Sequence, residues 1–338
     1  MRVLPAGQTT VVTRFWCSAS HEQFPPDDLL LQAREAEAAG FDGIGSSDHF
    51  QPWWPEGQSG QAWVWLGAAL QATARVPAGT GVTPVVHHYH PALVAQAFMT
   101  LEVMFPGRTF LGVGSGEALN EVPLGADWPS PGEQVQRLDD GLDVIRRLWD
   151  GEVVTADAGW FRCREAKLFT RAEGRRPALY VSAFGPKAAR VAARHGDGLW
   201  TLADPEQAPG LIDTYKGACE DLGREPGEIV LHTGIAWARD DEALMEGVRP
   251  WRGTQPPQLY TDDIHDTREV AEVGRREVSD EELREGLVVS TDPAEHAERL
   301  REIERLGATV VCCQVMGGAD PHGTIRTYGE HVLPSLRG

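Results

Sequence analysis

The sequence predicts a single (β/α)8 TIM barrel over residues 1–338, and three observations predict it. Strand-like and helix-like segments alternate about eight times, and no interdomain linker interrupts them. The strand-like segments read as continuous apolar runs, which is how parallel strands read when helices cover their outer face. An open doubly wound sheet would alternate in the same way, but eight units of this length favour the closed barrel.

In chain order, Val11 to Ser20 is rich in β-branched and aromatic residues and breaks at His21–Pro26, so it reads as a strand ending in a loop. Asp27 or Asp28 can cap the helical run Leu29–Ala39, which Gly40 closes. Phe41–Ser47 is a second strand, followed by a polar stretch rich in Trp and Gly up to about Gly60, and then by helical sequence from Gln61 to Ala74. The alternation continues with a strand Gly79–Val85, a helix Pro91–Met104, a strand Thr109–Gly114 and a helix Glu133–Trp149. After a hairpin-like stretch at 152–170 come the strand Ala178–Ser182, the helix Pro186–Arg194, the strand Gly198–Leu202 and the helix Gln207–Leu222. Ile229–Ala236 is the seventh strand, and a polar segment of mixed character then runs to about Gly274. Asp280–Glu285 and Pro293–Leu306 read as helices, Ala308–Met316 as the last strand and Thr324–Leu333 as the last helix.

With 41% hydrophobic and 24% charged residues the chain can bury a substantial core. Its 50 acidic against 31 basic residues give a formal charge of -19, which opposes binding to nucleic-acid phosphates. The five cysteines are scattered and form no C-x-x-C pair, which fits a reducing cytoplasmic setting. No secretory leader and no run of about 18 apolar residues is present, so neither export nor a membrane span is expected.

In a barrel the chemistry sits where strands end at their carboxyl edge. Glu22 follows the first strand, Asp48-His49 with Trp53 the second, His87-His88-Tyr89-His90 the third, and Gly114-Ser115-Gly116-Glu117 the fourth. An imidazole titrates near working pH, so His49 is a candidate acid/base that Asp48 could orient, although a histidine in a loop also serves as a plain surface or core residue. Glycines before Glu117 let backbone amides approach an anion, but they make no dinucleotide fingerprint. The three histidines lack the helical spacing of a metal site and read instead as a polar pocket wall. Trp54 and Trp65 read as core, Trp53 as the tryptophan that shares the loop of His49. Ser182–Lys187 ends the fifth strand and opens a helix, where free amides could take a phosphate or simply make a turn.

The motifs SASHEQF (18–24), SDHFQPW (47–53), HPALVAQAF (90–98), FLGVGSGEALNE (110–121), GPKAARVAARHGDGLW (185–200) and LVVSTDP (287–293) together resemble the luciferase-like, flavin-dependent oxidoreductases, in the branch around the coenzyme F420-dependent glucose-6-phosphate dehydrogenases. The resemblance implies a barrel holding the deazaflavin F420 and passing a hydride at its C5 to or from an alcohol, sugar or carbonyl compound. It implies His49 as the base for a substrate hydroxyl, Glu117 as the acid beside the ring, and Trp53 as a wall at the reacting centre. It places the cofactor against Asp48, Gly81 and Val82 (joined by a cis peptide), Glu117, Asn120, Ala183, Phe184 and Gly185, and the substrate against Glu22, Trp53 and His88. A homodimer is implied as well. An FMN-dependent member and a non-catalytic cofactor-binding barrel are the alternatives. The chain departs from the sugar-phosphate enzymes after the sixth strand, where Trp200–Pro205 carries no basic residue and acidic Glu272 and Glu285 fall near the other phosphate-binding positions. A phosphorylated sugar would find no cationic cluster there, which turns the expectation away from glucose 6-phosphate and toward a neutral substrate.

Overall fold

The computed structural model describes residues 12–87, 89–318 and 320–337. Eight parallel strands form the barrel: β1 (Arg14–Ala19), β2 (Gly43–Ser46), β3 (Ala78–Pro84), β4 (Thr109–Gly114), β5 (Ala178–Ser182), β6 (Gly198–Leu202), β7 (Glu228–Trp237) and β8 (Val310–Val315). Each pairs with the next, and β8 pairs with both β7 and β1, which closes the sheet. Closure leaves no exposed edge. Helices α1 (Pro26–Ala39), α2 (Ala62–Ala72), α3 (Pro91–Met104), α4 (Pro131–Asp150), α5 (Pro186–His195), α6 (Ala208–Asp221), α7 (Pro293–Arg305) and α8 (Pro321–Thr327) cover its outer face. The hairpin expected at 152–170 is an antiparallel pair, Val154–Asp157 with Arg162–Ala166.

The barrel interior is filled by rings rather than by branched aliphatics. Trp16, Phe110, Tyr180 and Trp200 pack with centroids 4.6 to 6.4 Å apart. Rings this large fit because glycine faces them: a Cβ on Gly43 would lie 2.6 Å from the Trp16 indole, and one on Gly81 would lie 2.4 Å from Trp200. The plug seals the lower barrel and leaves only its upper, carboxyl end for a ligand. A second core fills the space between strands and helices and takes in Trp65.

The segment read as polar between β7 and Gly274 is in fact structured. Helices Asp241–Val248, Thr267–Glu277 and Asp280–Gly286, two 3-10 turns (Arg249–Thr254 and Pro257–Tyr260) and a short strand Val288–Ser290 against the end of β7 form a cap at the barrel mouth. Of these helices only Asp280–Gly286 was read from the sequence; the other two escaped because their apolar stripes are narrow, Thr267–Glu277 burying only Val270, Val273 and Gly274. A third core joins this cap to the loop after β2 through Trp53, Trp54, Trp251, Leu259 and Met316. Trp54 is therefore core, as expected, but the core of the cap.

Candidate active site

The site is built from the turns that follow β1, β2 and β4. Parallel pairing sets Ala19 beside Ser46, so the residues three positions beyond each strand, Glu22 and His49, arrive side by side. His49 Nδ1 lies 2.5 Å from Glu22 Oε1, and the other carboxylate oxygen of Glu22 accepts a hydrogen bond from Ser47 Oγ at 2.9 Å. Glu22 is fully buried. It was expected against the substrate; instead it is enclosed beneath the imidazole and fixes which nitrogen faces outward. That nitrogen, Nε2, lies 3.9 Å from Glu117 Oε2, and the Trp53 ring meets the imidazole edge-on at 5.2 Å.

Burial alone would lower the His49 pKa, but the charge of Glu22 and its hydrogen bond outweigh that, with help from Glu117 and Asp48, and raise it to about 9. The Glu22 carboxyl would be pushed up by burial, yet His49 holds it below the usual range. Burial raises the pKa of Glu117, only partly opposed by His49 and by the hydrogen bond from Asn120. Imidazole and carboxyl are thus both displaced toward their protonated forms.

Glu117 stands at the start of the short helix Ala118–Glu121, after the turn Gly114–Gly116. Gly116 has a φ of 75°, and a Cβ there would approach Glu121 Oε1 to 2.8 Å, so the turn requires glycine. Asn120 is fully buried: its Oδ1 accepts the backbone N–H groups of Phe50 and Gln51 at 2.8 and 3.0 Å, and its Nδ2 donates to Glu117 at 3.3 Å. One amide therefore sets the loop of His49 relative to Glu117. Gln51 extends the tie, donating to the carbonyls of Leu119 and of His265 in the cap.

Asp48 does not orient His49. Its carboxylate accepts hydrogen bonds from Thr83 Oγ1 at 2.6 Å, Trp63 Nε1 at 2.9 Å and the Tyr89 hydroxyl at 3.3 Å, which anchors the loop to the end of β3. The peptide between Gly81 and Val82 is cis, and the Val82 side chain lies against Gly114 on β4. His90 caps α3 by accepting from the N–H of Ala92, and His87 lies 3.1 Å from the Arg137 guanidinium. His88 lies outside the described residues.

Across the mouth, Ala183 is buried with its N–H on the Trp200 carbonyl, Phe184 is half-exposed, and Gly185 begins α5 with no side chain capping the helix. A Cβ on Gly185 would meet nothing within 4 Å. Tyr260 of the cap, which nothing in the sequence singled out, packs edge-on against both Trp53 and Phe184.

The luciferase-like monooxygenase family model matches residues 8–310 of this sequence. The chain belongs to that family. It is 37% identical over 334 residues to the F420-dependent glucose-6-phosphate dehydrogenase of Microbacterium testaceum, covering 97% of this chain and 98% of that protein. To the F420-dependent hydroxymycolic acid dehydrogenase of Mycobacterium tuberculosis it is 34% identical over 322 residues, 94% of this chain and 87% of that one. A solved F420-dependent secondary alcohol dehydrogenase, in complex with an F420–acetone adduct, superposes with a TM-score of 0.91 at 33% identity, covering 96% of this chain and 99% of the other. The solved coenzyme F420-dependent tetrahydromethanopterin reductase of Methanopyrus kandleri, 18% identical with a TM-score of 0.78, shares the fold.

The Glu22–His49 pair makes stability depend on pH. Folded His49 keeps its proton up to about pH 9, whereas the unfolded residue releases it near 6.5. The folded state binds the extra proton between those values, so this contribution is complete below 6.5 and is lost as pH rises through about 9. Glu22→Gln removes the carboxylate but not the burial, and NMR titration of His49 in that variant is expected to give a pKa below the ordinary histidine value. A pKa that stayed near 9 in the variant would show that Glu22 is not its cause.

Proposed function

We propose that this chain is an F420-dependent oxidoreductase acting on a CH–OH group, with His49 and Glu117 as its proton-handling residues. The observation that carries the assignment of residues is the outward-facing Nε2 of His49, 3.9 Å from the Glu117 carboxyl and backed by buried Glu22.

The residues present fit the cofactor. The uncapped start of α5, open above Gly185, offers free amides and the positive helix end to a phosphate. Val82 on the cis peptide and the buried faces of Ala183 and Asn120 supply close, mostly apolar walls, and Asp48, already held by Trp63, Thr83 and Tyr89, contributes to the cofactor side as part of that anchored wall. Bound there, the deazaflavin would accept or supply the hydride at its C5.

The protein's own part is the proton. In alcohol oxidation the hydroxyl proton passes to His49 Nε2 as the carbinol carbon loses its hydride and the carbonyl forms; in carbonyl reduction the imidazolium returns the proton to the oxygen. Below about pH 9 the free protein holds the imidazolium, the form that serves reduction, so oxidation requires His49 to lose its proton first. Glu117, displaced toward its neutral form by burial, is suited to hold a proton next to charge that develops on the cofactor. Glu22 keeps Nε2 pointed at the substrate, and Trp53 limits water at the imidazole.

The five cysteines are all unpaired, which supports a reducing, cytoplasmic setting. No helix among the described residues is long and apolar enough to cross a membrane. A homodimer is supported by α2 and α3: α2 contains no charged residue, the one acid of α3, Glu102, is buried, and Val64 and Leu93 are 77% and 59% exposed. Faces without charge on a chain of charge -19 are suited to cover one another.

Three outcomes test this reading. His49→Ala is expected to lower kcat by about two to four orders of magnitude, as for loss of a general acid/base, with F420 affinity retained; oxidation should gain and reduction lose efficiency as pH rises toward 9 in the wild type. Unchanged turnover in His49→Ala and Glu117→Gln would overturn the roles. Gly185→Asp should cap α5 and leave or slightly raise the melting temperature while weakening F420 binding about tenfold or more, because its carboxylate faces the phosphate; an unaltered Kd by fluorescence titration places the phosphate elsewhere. Val64→Glu should shift the sedimentation coefficient from dimer to monomer, and a mass independent of that substitution argues against the α2–α3 interface.

A further inference from the structure

The proton-handling centre has an apolar flank assembled from three distant segments. Trp53 touches His49 on one side and Tyr260 on the other, the second contact edge-on at 6.2 Å. Tyr260 in turn meets Phe184 of the β5–α5 turn at 5.2 Å, so one row of rings runs from the imidazole to the cofactor side of the mouth. The Tyr260 hydroxyl donates to the Thr254 carbonyl at 2.9 Å, inside the cap, which leaves the ring as the surface presented to the mouth. Burial and then the charge of Glu117 hold the phenol proton in place, consistent with a ring that sits beside that acid.

Leu202 ends β6 two residues beyond Trp200, which pairs with Ser182, and Phe184 lies two residues beyond Ser182. Side chains alternate along a strand, so Leu202 shares the inward direction of Trp200 one layer higher, at the open end of the barrel. It is 41% exposed, although the rest of β6 is buried, and Phe184 is 48% exposed beside buried Ala183. Large apolar side chains left open at the mouth of a cleft mark a surface that a ligand covers.

Among the described residues no cation lies over the rings of Trp53, Tyr260 or Phe184. The chain has three lysines, Lys167, Lys187 and Lys216, and only Lys187 stands near the mouth, on the cofactor side at the start of α5. In the cap, Arg249 and Arg252 pair with Asp280, Arg268 with Asp266, Arg276 with Glu277 and Arg284 with Asp241, while Arg239 and Arg275 are exposed and stand outside these pairs. Glu272 and Glu285 are exposed. A phosphate placed against these rings would lose its hydration without a charge partner among them, whereas an apolar body would bury carbon against carbon.

We infer that the substrate is a neutral hydroxy compound, or the matching carbonyl compound, with an apolar body of several carbons, and that Tyr260 selects for that body. The inference rests on the F420-dependent reading above. The reaction is balanced as stated there: the carbinol carbon gives its hydride to the deazaflavin, the hydroxyl proton goes to His49, and the carbonyl forms.

The test uses the F420-loaded protein with propan-2-ol, octan-2-ol, cyclohexanol, glucose and glucose 6-phosphate. It measures kcat/KM for each and, by calorimetry, their binding to the loaded and the free protein. Octan-2-ol is expected to exceed glucose 6-phosphate in kcat/KM by about tenfold or more, a difference that a few buried methylenes supply, and to bind where the sugar phosphate does not. Tyr260→Ala should shrink the octan-2-ol to propan-2-ol ratio about tenfold, and Tyr260→Phe should restore it, since the ring and not the hydroxyl makes the contact. If Tyr260→Ala unfolds the cap, Leu202→Lys gives the second arm, with the preference moving toward glucose 6-phosphate. Glucose or glucose 6-phosphate equalling the best alcohol, or no heat and no turnover with any apolar alcohol, overturns the substrate class. An equal loss for octan-2-ol and propan-2-ol in Tyr260→Ala overturns the role of Tyr260. Failure of F420 to bind sinks the earlier reading instead, and binding of octan-2-ol to the free protein still decides the apolar body.

Discussion

A buried carboxylate must have a partner, and at this site the partner is His49. Glu22 has no access to water, so its charge is tolerable only beside a cation and a hydroxyl donor, which His49 and Ser47 supply. Much of the site follows from that constraint. The register of β1 against β2 brings the two residues together, the pair orients Nε2 toward Glu117, and the same pair lifts the imidazole pKa to about 9. His21, next in the chain, is equally buried, but desolvation drives its pKa down to about 4, so the proton resides on His49 and not on its neighbour.

The frame around the pair is made of fixed hydrogen bonds rather than of a single rigid element. Asn120 ties the His49 loop to Glu117, Asp48 ties it to β3, and Gln51 ties it to the cap. Each of these side chains satisfies buried backbone or carboxylate groups that would otherwise be costly, so positioning and stability are served by the same contacts. The aromatic plug below ensures that the polar constellation has no room to sink into the barrel.

The barrel was legible because its signals are local: apolar runs, caps and closing glycines repeat at each unit, and β4, β5, β6 and α3 fall where the sequence placed them. His49, Glu117 and Trp53 were legible as residues just after strands, and the structure brings all three to one mouth. Of the cap only the helix at Asp280 was legible. Its helices are short and bury narrow stripes, and their partners, Trp53, Trp54 and Met316, lie far away in sequence. Tyr260 shared that fate, since only packing against Trp53 and Phe184 gives it meaning. The orienter of His49 was missed for a related reason: adjacency in sequence suggested Asp48, whereas the pairing of neighbouring parallel strands brings Glu22 to the imidazole.

The charges of the site point in the same direction as its apolar flank. Glu22 and His49 together are a neutral pair, and burial moves Glu117 toward its own neutral form, which leaves Asp48 as a carboxylate beside them. A dianionic substrate would add charge of the same sign as Asp48 inside a low-dielectric cleft. A neutral alcohol brings only a hydroxyl group, and the proton it must lose has a single well-oriented acceptor in Nε2. The electrostatics that make His49 hold a proton therefore also limit what can lie against it, since a further anion would meet Asp48 and the Glu22–His49 pair rather than a free cation on the rings.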